Sequence, residues 1–297
     1  MNTYLNSLNK EQFIKEKISP DAEIFSPLIG GMMNESLIIK DGSKKYVLYV
    51  PTEQANEMVN RRLERDNQAI VYGLGITSKN IYFDVKNGVK INEFIEGSSL
   101  DKISKYDLKK VANTIHILHN SKKLSEENYN PFVRFAGYEN DVSEFVKEMH
   151  PLYREIREEL FKYKAYLESQ KLALCHNDAQ KSNIIKSVND EYFLIDFEFM
   201  GNNDPIYDIA TFGNGSVQEG FELLKEYASK PSKDLIKRYY LWRMYISLQW
   251  YDVALVKHYR GEGEIHHYNF LEVAEHFLNN ANEAYQQFKK YNHICVI

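Results

Sequence analysis

The chain has 297 residues, of which 43% are hydrophobic and 27% charged, and a formal net charge of −5. That is globular composition with ample chain for a large core, in one large domain or as two lobes around a cleft. It excludes the strongly basic surface that nucleic acid or an anionic membrane would require, and two cysteines, Cys175 and Cys295, argue against a disulfide framework and fit a reducing compartment. The N-terminal stretch is polar, without the apolar core of a signal peptide, and no run of about 18 apolar residues occurs. A cytoplasmic protein without membrane insertion is expected, its oligomeric state open.

In chain order, residues 9–18 read as a short amphipathic helix ended before Pro20. The segment PLIGGMMNESLIIKDGSKKYVLYVP (27–51) reads as two strands joined at Asp41-Gly42. A helix is predicted over 53–75, closed by Gly73 or Gly75, followed by a hairpin over 81–97 turned at Asn87-Gly88. The first lobe is therefore α+β, and EGSSL (96–100) marks its boundary, dividing the chain into 1–96 and 97–297. The remainder is mostly helical, with helix spacing over 106–121, 139–169, 218–228, 233–259 and 269–290. Two short strand signals interrupt it, ALCH and NIIKS…YFLIDF.

The chemistry concentrates in CHNDAQKSN (175–183) and LIDFEF (194–199). With Asn189-Asp190 as a two-residue turn, position 188 faces 191 and Asn183 faces Asp196 at the open end of the hairpin. An amide oxygen and a carboxylate side by side are hard donors of the kind that hold Mg²⁺ beside phosphates. Glu198, two residues on, would share that strand face as a third donor. Asp178, at the end of an apolar strand, could orient a hydroxyl and accept its proton. Alone, Asp178 and Asn183 are ordinary turn or cap residues, and His176 an ordinary structural hydrogen-bonding group. Together, H-x-D-x₄-N and a strand-borne Asp at hairpin distance follow protein-kinase catalytic-loop logic, and they point to phosphoryl transfer. In the first lobe, a Gly-containing loop with Gly30, Gly31 and Asn34 could cover phosphates. Glu64 could hold a phosphate-contacting cation, and INEFIEG (91–97) could serve as an adenine-contacting hinge.

These stretches, with LIGGMMN, YVLYVP, RRLERDNQAIVYGLGI and DPIYDIA, resemble the choline/ethanolamine kinase family, especially its bacterial choline kinases, within the aminoglycoside-phosphotransferase and protein-kinase-like group. The resemblance implies a two-lobed protein-kinase-like α+β fold, with a small antiparallel-sheet first lobe and a larger helical second lobe. It implies ATP and Mg²⁺ as cofactors and a small amino alcohol as the partner phosphorylated. It makes Asp178 the catalytic base and Asn183 and Asp196 the metal ligands. Gly30, Gly31 and Asn34 would cover the phosphates, Glu93, Phe94 and Ile95 would form the hinge, and Gln180 would sit beside the acceptor alcohol. Asp208 would buttress the catalytic loop.

Three positions depart from the family pattern. Tyr49 stands where the family has a cation, and a phenol supplies no positive charge; Lys45, Arg61 and Arg62 are the alternatives within reach. Gly215 stands where an acid is common, with Glu219 the nearest. Trp250 matches the first tryptophan of a W-x-x-W pair, and Val253 replaces the second. An aromatic cage for an ammonium group could still draw on Trp250, Tyr251, Phe199, Tyr207 and Tyr268, with Glu198 nearby. Helix packing is the competing role for the tyrosines. The acceptor stays open among choline, ethanolamine, an aminoglycoside, thiamine or a sugar, and a nucleotide-binding pseudokinase is the non-catalytic alternative.

Overall fold

The computed structural model describes residues 8–28, 34–52, 55–56, 59–266 and 268–293. Its backbone forms two compact units, Met1–Tyr106 with Ser182–Met200, and Asp107–Lys181 with Gly201–Ile297. In chain order the first stretch gives α1 (Lys10–Lys17), β1 (Glu23–Pro27), β2 (Asn34–Asp41), β3 (Lys44–Pro51), α2 (Arg61–Gly73), β4 (Asn80–Phe83), β5 (Lys90–Glu93) and β6 (Gly97–Ser99). Then follow α3 (Leu108–His119), α4 (Pro131–Ser143), α5 (Pro151–Phe161), α6 (Lys164–Glu168) and β7 (Ala173–Cys175). A 3-10 turn at Lys181–Asn183 leads into the hairpin β8 (Ile184–Ser187) and β9 (Tyr192–Leu194). The chain ends with β10 (Gly201–Asn203), α7 (Ile206–Phe212), α8 (Val217–Ala228), α9 (Lys233–Tyr259), α10 (Glu262–His266) and α11 (Phe270–His293).

In the first unit a five-stranded antiparallel sheet runs β1-β2-β3-β5-β4, and a smaller sheet runs β6-β8-β9. Strand alternation sorts the large sheet into two faces. Leu37, Ile39, Leu48, Val50, Val89 and Ile91 pack with Phe13 and Ile14 of α1 into one apolar core. The alternate residues, Val47, Tyr49, Lys90 and Asn92, therefore face the other way, and Gln68 of α2 donates to Asn92 Oδ1 (3.0 Å) on that side. The helix α2 starts at Arg61, where the Asn60 side chain accepts from Leu63 N and caps it; residues 53, 54, 57 and 58 of the predicted helix lie outside the described residues. Both Gly turns form, with Gly42 and Gly88 at φ of 59° and 74°. Gly97 is needed for a different reason: a Cβ there would run into the backbone of Lys186 and Ser187 on β8.

The β8–β9 hairpin departs from its predicted register. Ile184 pairs with Leu194 and Lys186 with Tyr192, and Ser187 N donates to Glu191 O. The loop is thus three residues, closing on Asp190 at φ 62°, the αL residue of a three-residue hairpin loop. Asn183 faces Ile195, whose N–H donates to Asn183 O at 3.0 Å. A one-residue slip exchanges the faces of a strand, so the chain brings Asp196 round by other means, described below.

The second unit holds the two-stranded sheet β10-β7 and the remaining helices. The predicted helix over 139–169 is three helices. Pro131 and Pro151 sit at the first positions of α4 and α5, where a missing N–H costs nothing, and they restart the chain instead of letting one helix run through.

A buried polar group binds α4, α5 and α9 together. Tyr153 Oη donates to Asp252 Oδ2 (2.8 Å) and lies 3.3 Å from Glu139 Oε1, which is also clasped by Arg157. Burial raises the Asp252 carboxyl well above its ordinary value; the Tyr153 hydrogen bond and Arg157 offset part of this, and Glu139 adds to it. A carboxyl whose folded pKa is raised keeps its proton in the folded chain after the unfolded chain has lost it. Its contribution is complete below the unfolded value, about 4, and declines as pH rises, by at most about 1.4 kcal/mol per pH unit. Melting temperature measured from pH 5 to pH 8 is expected to fall with a slope that Asp252→Asn makes shallower. Equal slopes in the two proteins would contradict this.

Candidate active site

The first unit gathers its charges on the α2 side of the sheet. Lys90 is the residue paired with Tyr49 across β3 and β5. Its Nζ bonds Glu64 Oε1 on α2, lies 3.8 Å from Asp196 Oδ1, and stands 5.0 Å from the centre of the Tyr49 ring. Arg61 Nη1 donates to Glu64 Oε2 (2.7 Å) and lies 3.8 Å from Glu198 Oε2, while Arg61 Nε donates to Asn56 Oδ1 (2.9 Å). Lys90, Glu64, Arg61 and Glu198 are all closed off from solvent, whereas the Asp196 side chain is 32% exposed.

Burial alone would neutralise such groups, and pairing decides which stay charged. Burial would lower the Lys90 ammonium, but Glu64 and Asp196 outweigh it and the pKa is raised. Burial would raise Glu64, yet Lys90 and Arg61 hold it below the usual carboxylate value. Glu198 is pushed up to about 9, by burial first and then by Asp196, with Lys90 and Arg61 only partly offsetting. Burial pushes the Tyr49 hydroxyl up to about 12, so Tyr49 is a neutral phenol at physiological pH.

Asp196 enters this cluster through an αL backbone, φ 65°, uncommon for a non-Gly residue and more often found at functional sites. Glu198 follows in a turn beyond the end of β9. The shared strand face expected for the two acids is therefore replaced by a bend that brings Asp196 toward Lys90 and Glu198 toward Arg61. A divalent metal fits here on the chemistry of the donors. Three carboxylates face two cations, Glu198 Oε2 is buried without a hydrogen bond, and Asp196 is the acid open to solvent. Asn183, 8% exposed, precedes β8. The donor set is hard oxygen, as Mg²⁺ requires.

Of the other residues expected at the nucleotide end, Gly30 and Gly31 lie outside the described residues. Asn34 opens β2 opposite Pro51, its Oδ1 buried without a hydrogen bond. Glu93 N donates to Lys79 O (2.9 Å) and Phe94 N to Lys45 O (3.0 Å), so a hinge contact from Glu93–Ile95 has to use other backbone groups. Lys45 pairs with exposed Glu96 (2.8 Å) and Arg62 with Asp66 (3.5 Å).

The second unit builds the loop after β7 around one buried carboxylate. Asp208 Oδ2 accepts from His176 N (2.8 Å), Oδ1 accepts from Asn177 N (2.7 Å), and His119 Nε2 lies 2.9 Å from Oδ2. Asn177 has φ 63°, and its amide is gripped by the Cys175 and Gly201 carbonyls and by Asn203 Nδ2. That bend turns Asp178 outward from the buried strand, half-buried, with Gln180 Nε2 donating to its Oδ2 at 3.2 Å. His176 is fully buried and accepts from Asp178 N through Nδ1 (3.3 Å), a structural role. The buttressing role expected of Asp208 is thus visible in its contacts. His119, its third partner, carries no motif and is held in turn by Tyr227 Oη (2.9 Å).

The aromatic residues expected to surround an acceptor have separate neighbours. Trp250 stacks on Phe277 (5.7 Å, 14°), Tyr251 meets Tyr153, and Tyr268, 58% exposed, meets Phe270. Tyr207 is buried against Tyr129, Trp242 and Tyr245. Phe199 and Glu198 belong to the first unit. Sequence reasoning missed Tyr129, Tyr138 and Arg134. Burial raises both tyrosines, Arg134 offsets part of the rise, and the nearby Asp178 charge adds to it. Arg134 lies over the Tyr129 ring, 4.6 Å from its centre. Glu219, the acid nearest Gly215, pairs with Lys181 (2.9 Å).

The family profile described as Choline/ethanolamine kinase matches residues 25–219. Protein LicA of Haemophilus influenzae is 28% identical over 216 residues, 69% of this chain and 63% of that protein, so the match spans just under two thirds of the relative's length. The crystal structure of choline kinase LicA from Streptococcus pneumoniae superposes with a TM-score of 0.72 at 25% identity, covering 96% of this chain and 100% of that one. A LicA structure in complex with AMP gives 0.70 at 25% identity, with coverage of 96% and 100%. Among the described residues no helix is long and apolar enough to cross a membrane. With a matching profile over most of its length and an α+β, protein-kinase-like fold, the chain belongs to the choline/ethanolamine kinase family, whose enzymes are phosphotransferases with an alcohol acceptor.

Proposed function

We propose that this protein transfers the γ-phosphoryl group of ATP, with Mg²⁺, to the hydroxyl of a small amino alcohol, choline in the first place and ethanolamine in the second. The observation that carries the reading is the division of labour between two sets of residues. The first unit holds a buried cation–carboxylate cluster suited to phosphates and a metal. The second holds one partly exposed acid, Asp178, on a loop whose backbone is anchored by Asp208. Asp178 orients the acceptor hydroxyl and takes its proton, and Gln180 fixes the carboxylate that does so. Asn183 and Asp196 would hold Mg²⁺, with Glu198 beside them, and the metal when bound neutralises charge on the phosphates. We assign the nucleotide to residues of the first unit and the acceptor to residues of the second.

The test is a panel of choline, ethanolamine, related amino alcohols, thiamine, sugars and aminoglycosides, assayed for phosphorylation with ATP and Mg²⁺. Choline is expected to turn over fastest. No acceptor phosphorylated above the Asp178→Asn background would end the enzymatic reading, and nucleotide binding without turnover would favour a pseudokinase. Fast turnover of an aminoglycoside, thiamine or a sugar alone would keep the chemistry and replace the acceptor. The placement of Arg134 over the Tyr129 ring makes this a real contest, because that ring face is already occupied by a cation and an ammonium must find another.

A further inference from the structure

The pattern of this family places a phosphate-contacting cation at the position of Tyr49, and a neutral phenol cannot serve. The sheet itself offers the replacement. Tyr49 on β3 and Lys90 on β5 are direct partners in an antiparallel pair, so their side chains rise from the same face about 5 Å apart at Cβ. Lys90 thus starts from the neighbouring strand at the same rung and on the same side as the missing cation.

We propose that Lys90, supplied from β5, carries the phosphate-binding charge that relatives supply from β3. This rests on the nucleotide-binding reading above. Lys90 is held by Glu64, the α2 acid to which sequence reasoning assigned the holding of such a cation. Its ammonium stands 3.8 Å from Asp196 Oδ1, beyond hydrogen-bond length. It is therefore fixed by α2 while remaining beside the carboxylate assigned to the metal. The Tyr49 ring packs 5.0 Å from that ammonium and forms one wall around it. Tyr49 has exchanged a charge for a platform.

The other cations fit less well. Lys45 is drawn off by Glu96 at an exposed position, and Arg62 by Asp66 in solvent. Arg61 is buried, but two of its nitrogens are spent on Glu64 and Asn56, and the carboxylate it approaches is Glu198 rather than Asp196. A purely structural origin for Lys90 is the poorer account. A buried ion pair is rarely more stable than an apolar pair of the same volume, so packing alone gives no reason for a lysine whose side chain is 3% exposed.

The experiment compares ATP and AMP binding by calorimetry, with Mg²⁺, in wild type and variants. Lys90→Met is expected to weaken ATP binding about 10- to 100-fold, the worth of a charge-assisted contact, and to leave AMP affinity unchanged. Lys90→Arg should retain most of the ATP affinity. Because Lys90→Met takes one cation from buried Glu64 and leaves Arg61 paired to it, Lys90→Gln, which can still donate to Glu64 without a charge, is measured alongside and should weaken ATP binding to the same extent. The decisive variant is Lys90→Met with Tyr49→Lys, which returns the cation to β3 and should recover ATP affinity. Equal weakening of ATP and AMP, or ATP binding unaffected by loss of Lys90, would overturn the proposal while leaving the kinase reading intact. Failure of the wild-type protein to bind ATP at all would instead remove the nucleotide reading on which it rests.

Discussion

Asp178→Asn is expected to lower kcat by about 10³-fold, while ATP affinity and melting temperature stay close to wild type. The size follows from the role: a positioned base contributes roughly 10²- to 10⁴-fold. The selectivity follows from the structure. The amide has the shape of the carboxylate and can still accept from Gln180 Nε2 through an oxygen. The loop backbone is held by Asp208 and by the Asn177 side chain. Removing one negative charge from a half-buried position therefore leaves the bend in place. What disappears is an oxygen able to receive the hydroxyl proton.

The proposed nucleotide end should not register this change, because the charges assigned to it, Lys90, Glu64, Arg61, Asp196 and Glu198, pair among themselves. Steady-state kinetics with the best acceptor, together with ATP calorimetry, checks both halves. A fall in kcat of less than about tenfold would mean that Asp178 is not the base. A parallel loss of ATP affinity would mean that the acid contributes to nucleotide binding instead.

How far the site could be read before the coordinates depends on the kind of signal. Turn chemistry was legible: Asp41-Gly42 and Asn87-Gly88 both form turns with glycine at positive φ, because that backbone strongly favours glycine. The long helix α9 matched its predicted limits because apolar residues recur along it and Ser232 caps it. The hairpin register was not legible to one residue. Asn189-Asp190 fits a two-residue loop, but Asp190 takes the αL position of a three-residue loop, and Asp and Asn tolerate both. Asp196 meets Lys90 through an αL bend after β9 rather than through the strand face that the predicted register gives it.

Lys90 lies outside the expected positions. The family resemblance points to a cation on β3 or on the helix after it, and Lys90 is on β5. A lysine between Val89 and Ile91 in a strand due to be buried was itself a signal. Counting on from the Asn87-Gly88 turn identifies the face Lys90 takes, but not its partner, since β5 pairs with β3 across an intervening helix in the sequence. Long-range strand pairing is what local pattern cannot supply. His119 was hidden in the same way: nothing in NTIHILHN distinguishes the histidine that meets Asp208 from the one that stacks on Tyr227.

Asp208 is where folding and the proposed catalysis are most tightly joined, and Asp208→Ala is expected to cost about 3–5 kcal/mol of stability. The carboxylate is 1% exposed and takes the backbone N–H of His176 and of Asn177, with His119 as a third partner. Alanine leaves these groups buried without acceptors, each at roughly 1–3 kcal/mol, and opens a cavity at a buried position. Asp208→Asn separates the two roles. Its single oxygen can satisfy one backbone N–H, while its NH₂ must face another donor, so the loop is released at one end without a void. Catalysis should then fall by about 10²-fold, since misplacement by about 1 Å is enough for that. ATP affinity should hold, because no Asp208 partner belongs to the Lys90–Glu64 cluster. Thermal melts and kinetics on both variants check this. If Asp208→Asn turns over at the wild-type rate, the bend at Asn177 sustains itself, and Asp178 owes its position to the Asn177 side chain and its carbonyl partners alone.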